Sequence, residues 1–275
     1  MIFSHFQTRP LASKDAPNVI RISPDLGLSE VDILKTGQGW RFPTSEVLTF
    51  SQIKEINQDS NSCFLFQNGK LEKIQKYSPM TNRYYSLMPT KKAPTMLISG
   101  IPMHRIKGTT PDVDTTQKIR ALKKAFGTIL DTTTGLGYTA IKAAQTAELV
   151  ITIEFDPAVI AICKLNPWSS TLFTHPNIRC VIGDSYTLVK MFDDNFFNAI
   201  IHDPPTLSLA GHLYSQSLYQ SFFRILKNNG RLFHYIGNPE SRYGASTGRG
   251  VVERLSKVGF STTPKGRAYG VLAQK

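Results

Sequence analysis

Cysteine is scarce in this 275-residue sequence: Cys63, Cys163 and Cys180 are odd in number, widely spaced and without a C-x-x-C pair. A disulfide framework is thereby excluded, and the three read as free thiols used in packing within a reducing compartment, which predicts a cytoplasmic location. The six histidines are scattered with no H-x-x-x-H pair, so no structural metal is expected. No apolar run reaches the roughly 18 residues of a membrane-spanning helix. The first residues, MIFSHFQTRPLASKD, lack the basic segment and apolar core of a secretory signal. Internal repeats and low-complexity segments are also missing. Acidic residues are in deficit: 32 Lys and Arg face 20 Asp and Glu, for a net charge of +12. Up to residue 125 the balance is 18 basic against 10 acidic, and beyond it 14 against 10. A basic surface draws polyanions, of which RNA is the leading candidate, although basic side chains also decorate ordinary solvated faces.

What the chain does have is the stretch Ile129 to Ala140, ILDTTTGLGYTA, where a predicted apolar strand runs through Asp131 into a Gly-rich turn that opens a helix. Gly135 and Gly137 permit a tight turn and close backbone approach to a ligand, and the amides that open the helix face it. A P-loop would carry Gly-Lys-Ser/Thr, whereas Gly137 is followed by Tyr138-Thr139 and the next lysine is Lys142, which argues against ATP or GTP. With Ala140 in the third position of the turn, NAD stays open at this point.

The carboxylates narrow the ligand. Asp131, ahead of the turn, would repel a pyrophosphate and hold an ammonium, a group that S-adenosylmethionine carries. A second strand, Val150 to Ile153, ends in Glu154, spaced to accept hydrogen bonds from a ribose diol. A third, Ile178 to Ile182, ends in Gly183-Asp184, suited to an adenine amine. A fourth, Ala199 to Ile201, ends in His202-Asp203-Pro204-Pro205. Any one acid could simply cap the following helix, but four at successive strand ends define the ligand edge of an open α/β sheet.

On these motifs residues 127–275 resemble a class I S-adenosylmethionine-dependent methyltransferase. The resemblance implies an α/β fold, a Rossmann-like seven-stranded sheet with the last strand antiparallel. It implies a cofactor site of Asp131, Thr132, Gly135, Gly137, Tyr138, Glu154, Phe155, Asp184, Ser185 and Asp203, with Phe155 packing on the adenine. Through MHRIKGT at Met103 to Thr109, DTTTGLGYTA and HDPPTLSLAGHLYS at His202 to Ser215, the whole chain also resembles an uncharacterised, mainly archaeal group of predicted methyltransferases.

Upstream, residues 1–99 read as a β-rich appendage, with short strands at Asn18 to Ile22, Glu30 to Leu34 and Gly39 to Phe42 and a helix at Ser51 to Asn57. Strands Ser62 to Gln67 and Leu71 to Tyr77 join at Asn68-Gly69, and Tyr84 to Met88 and Thr95 to Ile98 follow. Residues 100–126 form a connector and a helix from Pro111 to about Ala125. There His104 and Arg105 are candidates to bind a cofactor carboxylate or an acceptor phosphate, or are ordinary linker residues. Residues 127–275 form the methyltransferase-like domain. At its end a helix spans Ser215 to Leu226, a strand Arg231 to Tyr235, a helix Arg249 to Val258, and a hairpin Phe260 to Thr263 and Tyr269 to Ala273. That closing pair favours the methyltransferase sheet over a dinucleotide-binding one.

Chemistry is expected at Asp203, Pro204 and Pro205. The prolines fix the backbone, so that the Asp203 carboxylate and a neighbouring carbonyl can both accept from one amino group and aim its lone pair. In amino methyltransferases an aromatic residue follows this motif and stacks on the base. Here Thr206 follows, leaving Tyr214, Tyr138 or Phe173 as substitutes. Methylation of an amino group, with tRNA or rRNA as leading acceptor, is the first reading. The second comes from Ala210 to Ser215 and the amphipathic helix after it, which resemble the segment behind the catalytic Asp of polyamine aminopropyltransferases such as spermidine synthase, users of decarboxylated S-adenosylmethionine. The acidic pair those enzymes carry after the Gly-rich turn is replaced here by Gly137-Tyr138. A cofactor-binding but idle RNA scaffold is the third.

Overall fold

Alternating apolar residues and short Gly/Asn turns give the N-terminal part antiparallel sheets. The computed structural model describes residues 1–123 and 125–275. Contacts divide them into two units, Met1–Asp112 with Ala158–Ser170, and Val113–Pro157 with Thr171–Lys275.

In the first unit β1 (Ile2–Phe3) is followed by α1 (His5–Thr8), β2 (Val19–Ile22), β3 (Val31–Lys35), β4 (Gly39–Arg41), β5 (Val47–Thr49) and α2 (Phe50–Gln58). Then come β6 (Phe64–Gln67), β7 (Lys70–Lys73), β8 (Gln75–Ser78), β9 (Arg83–Met88), β10 (Thr95–Ile98) and β11 (Ile101–Pro102). They form three sheets, ordered β1-β6-β7, β2-β3-β4-β5 and β11-β10-β9-β8. Trp40, Phe3, Phe64 and Phe66 are fully buried, and the Trp40 indole donates to the Leu11 carbonyl at 3.2 Å. The single strand expected from Leu71 to Tyr77 is two strands, because the chain changes partners at buried Ile74. Its amide donates to the Cys63 carbonyl while its carbonyl accepts from Leu87, and β8 then pairs with β9 instead of β6. The two-residue strands β1 and β11 were beyond sequence reading, since two residues carry no period.

The second unit opens at Val113 within α3 (Pro111–Ala121), which is shorter than the predicted helix; Lys124, inside that prediction, lies outside the described residues. The sheet comprises β12 (Thr128–Asp131), β13 (Leu149–Glu154), β14 (Ile178–Ile182), β15 (Phe197–His202), β16 (Leu226–Tyr235), β17 (Ser261–Lys265) and β18 (Gly270–Gln274). Between these strands in the chain come α4 (Tyr138–Ala144), α5 (Pro157–Leu165), which from Ala158 belongs to the first unit, α6 (Ser170–Thr174), α7 (Ser185–Leu188), α8 (Gln216–Ile225) and α9 (Arg242–Val258). Their order is β14-β13-β12-β15-β16-β18-β17, all parallel except β18, which is antiparallel to both neighbours. The fold is therefore the Rossmann-like seven-stranded sheet expected.

Helix α8 buries Leu218, Tyr219, Phe222 and Ile225, a stripe at helical spacing, against Leu130, Ile200 and Leu232 of the sheet. Each such side chain contributes about 1.5–3 kcal/mol when taken from water. Ser215 caps this helix by accepting from the Leu218 amide at 3.3 Å. Helix α9 starts earlier than the expected Arg249, with Ser241 as cap. Gly244 in its first turn is required there because a Cβ would lie 1.9 Å from the Asn238 carbonyl oxygen. After β12 the chain builds outward on one side through β13 and β14, then returns to place β15 on the other side of β12. The carboxyl ends of β12 and β15 thus flank the switch point where open α/β sheets bind ligands.

Candidate active site

Strand register sets the site. Asp131 is level with Ile201 of β15 and Thr152 of β13, and Glu154 with Ile182 of β14, so that Asp131, Glu154, Asp184 and Asp203 all emerge at one edge. The turn after β12 is pinned on both sides: the Thr132 amide donates to Ile201 at 3.0 Å and the Thr134 amide to Ile153 at 2.9 Å. Gly135 and Gly137 both adopt left-handed φ angles, +53° and +76°. A Cβ on Gly137 would also lie 2.8 Å from Leu172. Tyr138, next in the chain, is buried.

Asp131 is fully buried. One carboxylate oxygen accepts from the Thr139 hydroxyl at 3.1 Å and the Thr152 hydroxyl at 2.9 Å, whereas Oδ1 has no hydrogen-bond partner. Burial pushes this carboxyl up to about 8, against the two threonine bonds, and the Asp203 and Glu154 carboxylates add to the rise. Glu154, 8% exposed, accepts from the Gly135 amide at 2.9 Å and the Asp156 amide at 3.1 Å. Burial pushes it up to about 7 despite those bonds. Asp184 caps α7, accepting from the Tyr186 amide at 3.0 Å and the Thr187 hydroxyl at 3.1 Å, with His212 Nε2 3.8 Å away. Of the four acids it is the one that fits the helix-capping alternative. Buried Ser185 donates to the Thr132 carbonyl, tying α7 to the Gly-rich turn. Phe155 is half exposed, leaving its ring available at this edge.

Asp203 is engaged by a residue that the sequence did not single out. Lys118 of α3 is 2% exposed and places its ammonium 2.5 Å from Asp203 Oδ2 and 2.9 Å from Asp114 Oδ2, with the Tyr235 ring centroid 4.4 Å away. Burial opposes the Lys118 charge, yet the Asp203 and Asp114 carboxylates outweigh it and hold the ammonium above its ordinary range. Burial raises the Asp203 carboxyl and Lys118 pulls it back. The i, i+4 spacing of Asp114 and Lys118 was a visible signal, indistinguishable in sequence from a solvated helical pair.

The loop beyond Asp203 is tied down at several points. The Thr133 hydroxyl donates to the Asp203 carbonyl at 2.8 Å, and the Tyr214 hydroxyl donates to the Pro205 carbonyl at 3.0 Å. Buried His202 has Nε2 2.8 Å from the Leu213 carbonyl, so Nε2 carries the proton and Nδ1 accepts from Thr132 at 2.7 Å. Tyr214 packs beside His202 and His234, with ring centroids 6.5 and 5.3 Å away. It is buried and anchors the Asp203-Pro204-Pro205 segment. Phe173 keeps substantial exposure. His104 and Arg105 belong to the first unit, where the His104 ring lies 3.0 Å from the Thr95 hydroxyl.

No protein-family model matches the chain. It is 45% identical over 238 residues, 86% of its own length and 81% of the relative's, to the uncharacterized protein MJ1233 of Methanocaldococcus jannaschii. The two belong to one family. Among solved structures, it is similar to a spermidine synthase in complex with the transition state analogue AdoDATO. The TM-score is 0.59 at 21% identity, over 81% of this chain and 84% of the other. Spermidine synthase from Thermotoga maritima gives a TM-score of 0.57 at 20% identity, over 81% and 83%. At these identities the likeness is one of fold, and it extends well beyond the residues in which the sequence resembles methyltransferases.

Proposed function

We propose that this chain transfers an alkyl group from the sulfonium of an S-adenosylmethionine-type nucleoside to an amine nitrogen, and that the group is aminopropyl. The observation that carries this reading is the unpartnered, buried Oδ1 of Asp131 at the sheet's switch point. A ligand ammonium set against that oxygen converts a costly buried carboxyl into an ion pair. Asp114, Asp131, Glu154, Asp184 and Asp203 set five carboxyls against the ammonium of Lys118, which two of them already share. Such an edge suits a ligand with two positive charges and no carboxylate, as decarboxylated S-adenosylmethionine is. The likeness of fold to spermidine synthases and the Ala210 to Ser215 segment support the same choice.

When bound, the nucleoside supplies a carbon made electrophilic by its positive sulfur. Asp131 would hold the ammonium, Glu154 would use its remaining lone pairs on the ribose hydroxyls, Asp184 would use those left by its capping bonds on the adenine amine, and Phe155 would pack on the ring. Thr132, Gly135, Gly137, Tyr138 and Ser185 shape the turn around it. Asp203, paired with Lys118, orients the incoming amine, and Pro204-Pro205, held by Tyr214, form the wall of its slot.

Methyl transfer to an amino group of RNA is the second reading. Asp131 stands where methyltransferases carry their acid, and no acidic pair follows Gly137. In the first unit Tyr77 and Tyr84 are exposed and 5.0 Å apart on a hairpin that also carries Lys76, a stacking surface for bases. The same unit carries His104 and Arg105, the candidates for acceptor phosphates.

Parallel calorimetric titrations with S-adenosylmethionine and its decarboxylated form decide between them. Tighter binding of the decarboxylated form is expected, followed by conversion of a polyamine to a product heavier by one aminopropyl group. Preference for the carboxylated form, together with affinity for bulk tRNA that falls steeply with salt, would put methylation first. Binding of neither would reject both.

A further inference from the structure

We infer that Lys118 is a positioning residue for the Asp203 carboxylate: gripped between Asp114 and Asp203, it fixes the orientation and the ionised state of the group that meets the acceptor amine. The inference rests on the reading in which Asp203 receives that amine. An ammonium this deeply buried persists only when it is paired, and Lys118 has a carboxylate on each side and an aromatic ring within 4.4 Å. The two carboxylates are not equivalent. Asp114 has no exposed side-chain surface, whereas that of Asp203 is 20% exposed, so Asp114 anchors the ammonium and Asp203 presents a carboxylate to a ligand.

A simple strut between α3 and the end of β15 would need one carboxylate. The second sets the charge of the cluster. Burial and Asp114 disfavour the ionised form of Asp203 and Lys118 favours it; Asp131, whose own carboxyl Asp203 raises, and the Tyr214 hydroxyl, raised by burial, complete the surroundings. The cluster of three thus keeps one net negative charge, at its exposed end. That presents a carboxylate to a primary or secondary amine, held in one direction by its bond to an ammonium that Asp114 anchors.

This arrangement makes the two neighbours of Asp203 act with opposite sign. Aspartate-selective carbon-13 labelling lets the Asp203 carboxyl be followed by NMR titration in the ligand-free protein, its signal assigned by its loss in Asp203→Asn. In Lys118→Met the Asp203 midpoint is expected to rise by about one pH unit or more. In Asp114→Asn, where Lys118 is left wholly to Asp203, the midpoint is expected to fall. Midpoints that stay put, or that move in the same direction in both variants, overturn the inference and reduce Lys118 to a structural tie. Should Lys118→Met fail to fold, Asp114→Asn decides alone: a fall sustains the inference, and no change or a rise overturns it. No nucleoside or acceptor takes part, so failure of the proposed reaction leaves this result standing, and the reverse.

Discussion

A buried carboxyl with one oxygen that no protein group partners is suited to a cation, and Asp131 is built that way by Thr139 and Thr152 holding its other oxygen. Near pH 7 a carboxyl pushed up to about 8 carries its proton, and an ammonium placed against it favours the charged form. Nucleoside binding is therefore expected to release a proton, measurable as a dependence of the calorimetric heat on the ionisation enthalpy of the buffer. Asp131→Asn is expected to lose most of that release and to bind the nucleoside about 10- to 100-fold more weakly, the worth of a hydrogen bond to a charged group. Unchanged affinity and unchanged proton release would remove Asp131 from the site. At this scale the sequence exposed the acids, because each stands at the end of an apolar run that reads as a strand. Lys118 escaped, since a lysine on a short polar helix gains its meaning only from burial beside a distant aspartate.

Among the elements, the Gly-rich turn is where backbone geometry and ligand geometry coincide. Gly137 combines a left-handed φ of +76° with a Leu172 contact that a Cβ would bring to 2.8 Å. Gly137→Ala is expected to destabilise the fold by about 1–3 kcal/mol, read as a lower urea midpoint, and to weaken nucleoside binding in the protein that remains folded. Stability within about 0.5 kcal/mol of the parent would mean the turn relaxes freely and exerts no hold on the ligand. This turn was legible because two glycines between an apolar strand and a helix have few other uses. Partner exchange was not legible: residues 71–77 contain no glycine, proline or other turn signal to divide them, and only the assembled sheets show β7 and β8 serving different neighbours. Likewise the early start of α9 depends on an approach of Gly244 to Asn238 that no local pattern encodes.

Across the whole molecule the buried titratable groups pull stability in opposite directions with pH. The carboxyls of Asp131 and Glu154 are raised to about 8 and about 7, so the folded chain binds protons that the unfolded chain has lost, and their contribution declines as pH rises from about 4 towards 8. His202 is lowered to about 4 by burial, and His234 is also lowered, first by burial and then by His202, whose ring lies 4.5 Å away at a right angle. Their contribution is full above the ordinary histidine range and is lost as pH falls through it. Below about 6.5 the two effects offset each other, and above it the two carboxyls are opposed only by the Met1 ammonium, which burial lowers. The ligand-free protein is therefore expected to lose stability to urea between about pH 6.5 and 8.5. Asp131→Asn should flatten that decline by about 1–2 kcal/mol, the range a single carboxyl titrating near 8 supplies. A decline equally steep in the variant would assign the loss to other groups and leave Asp131 ionised throughout, in which case its unpaired oxygen would have to be satisfied in the free protein by solvent.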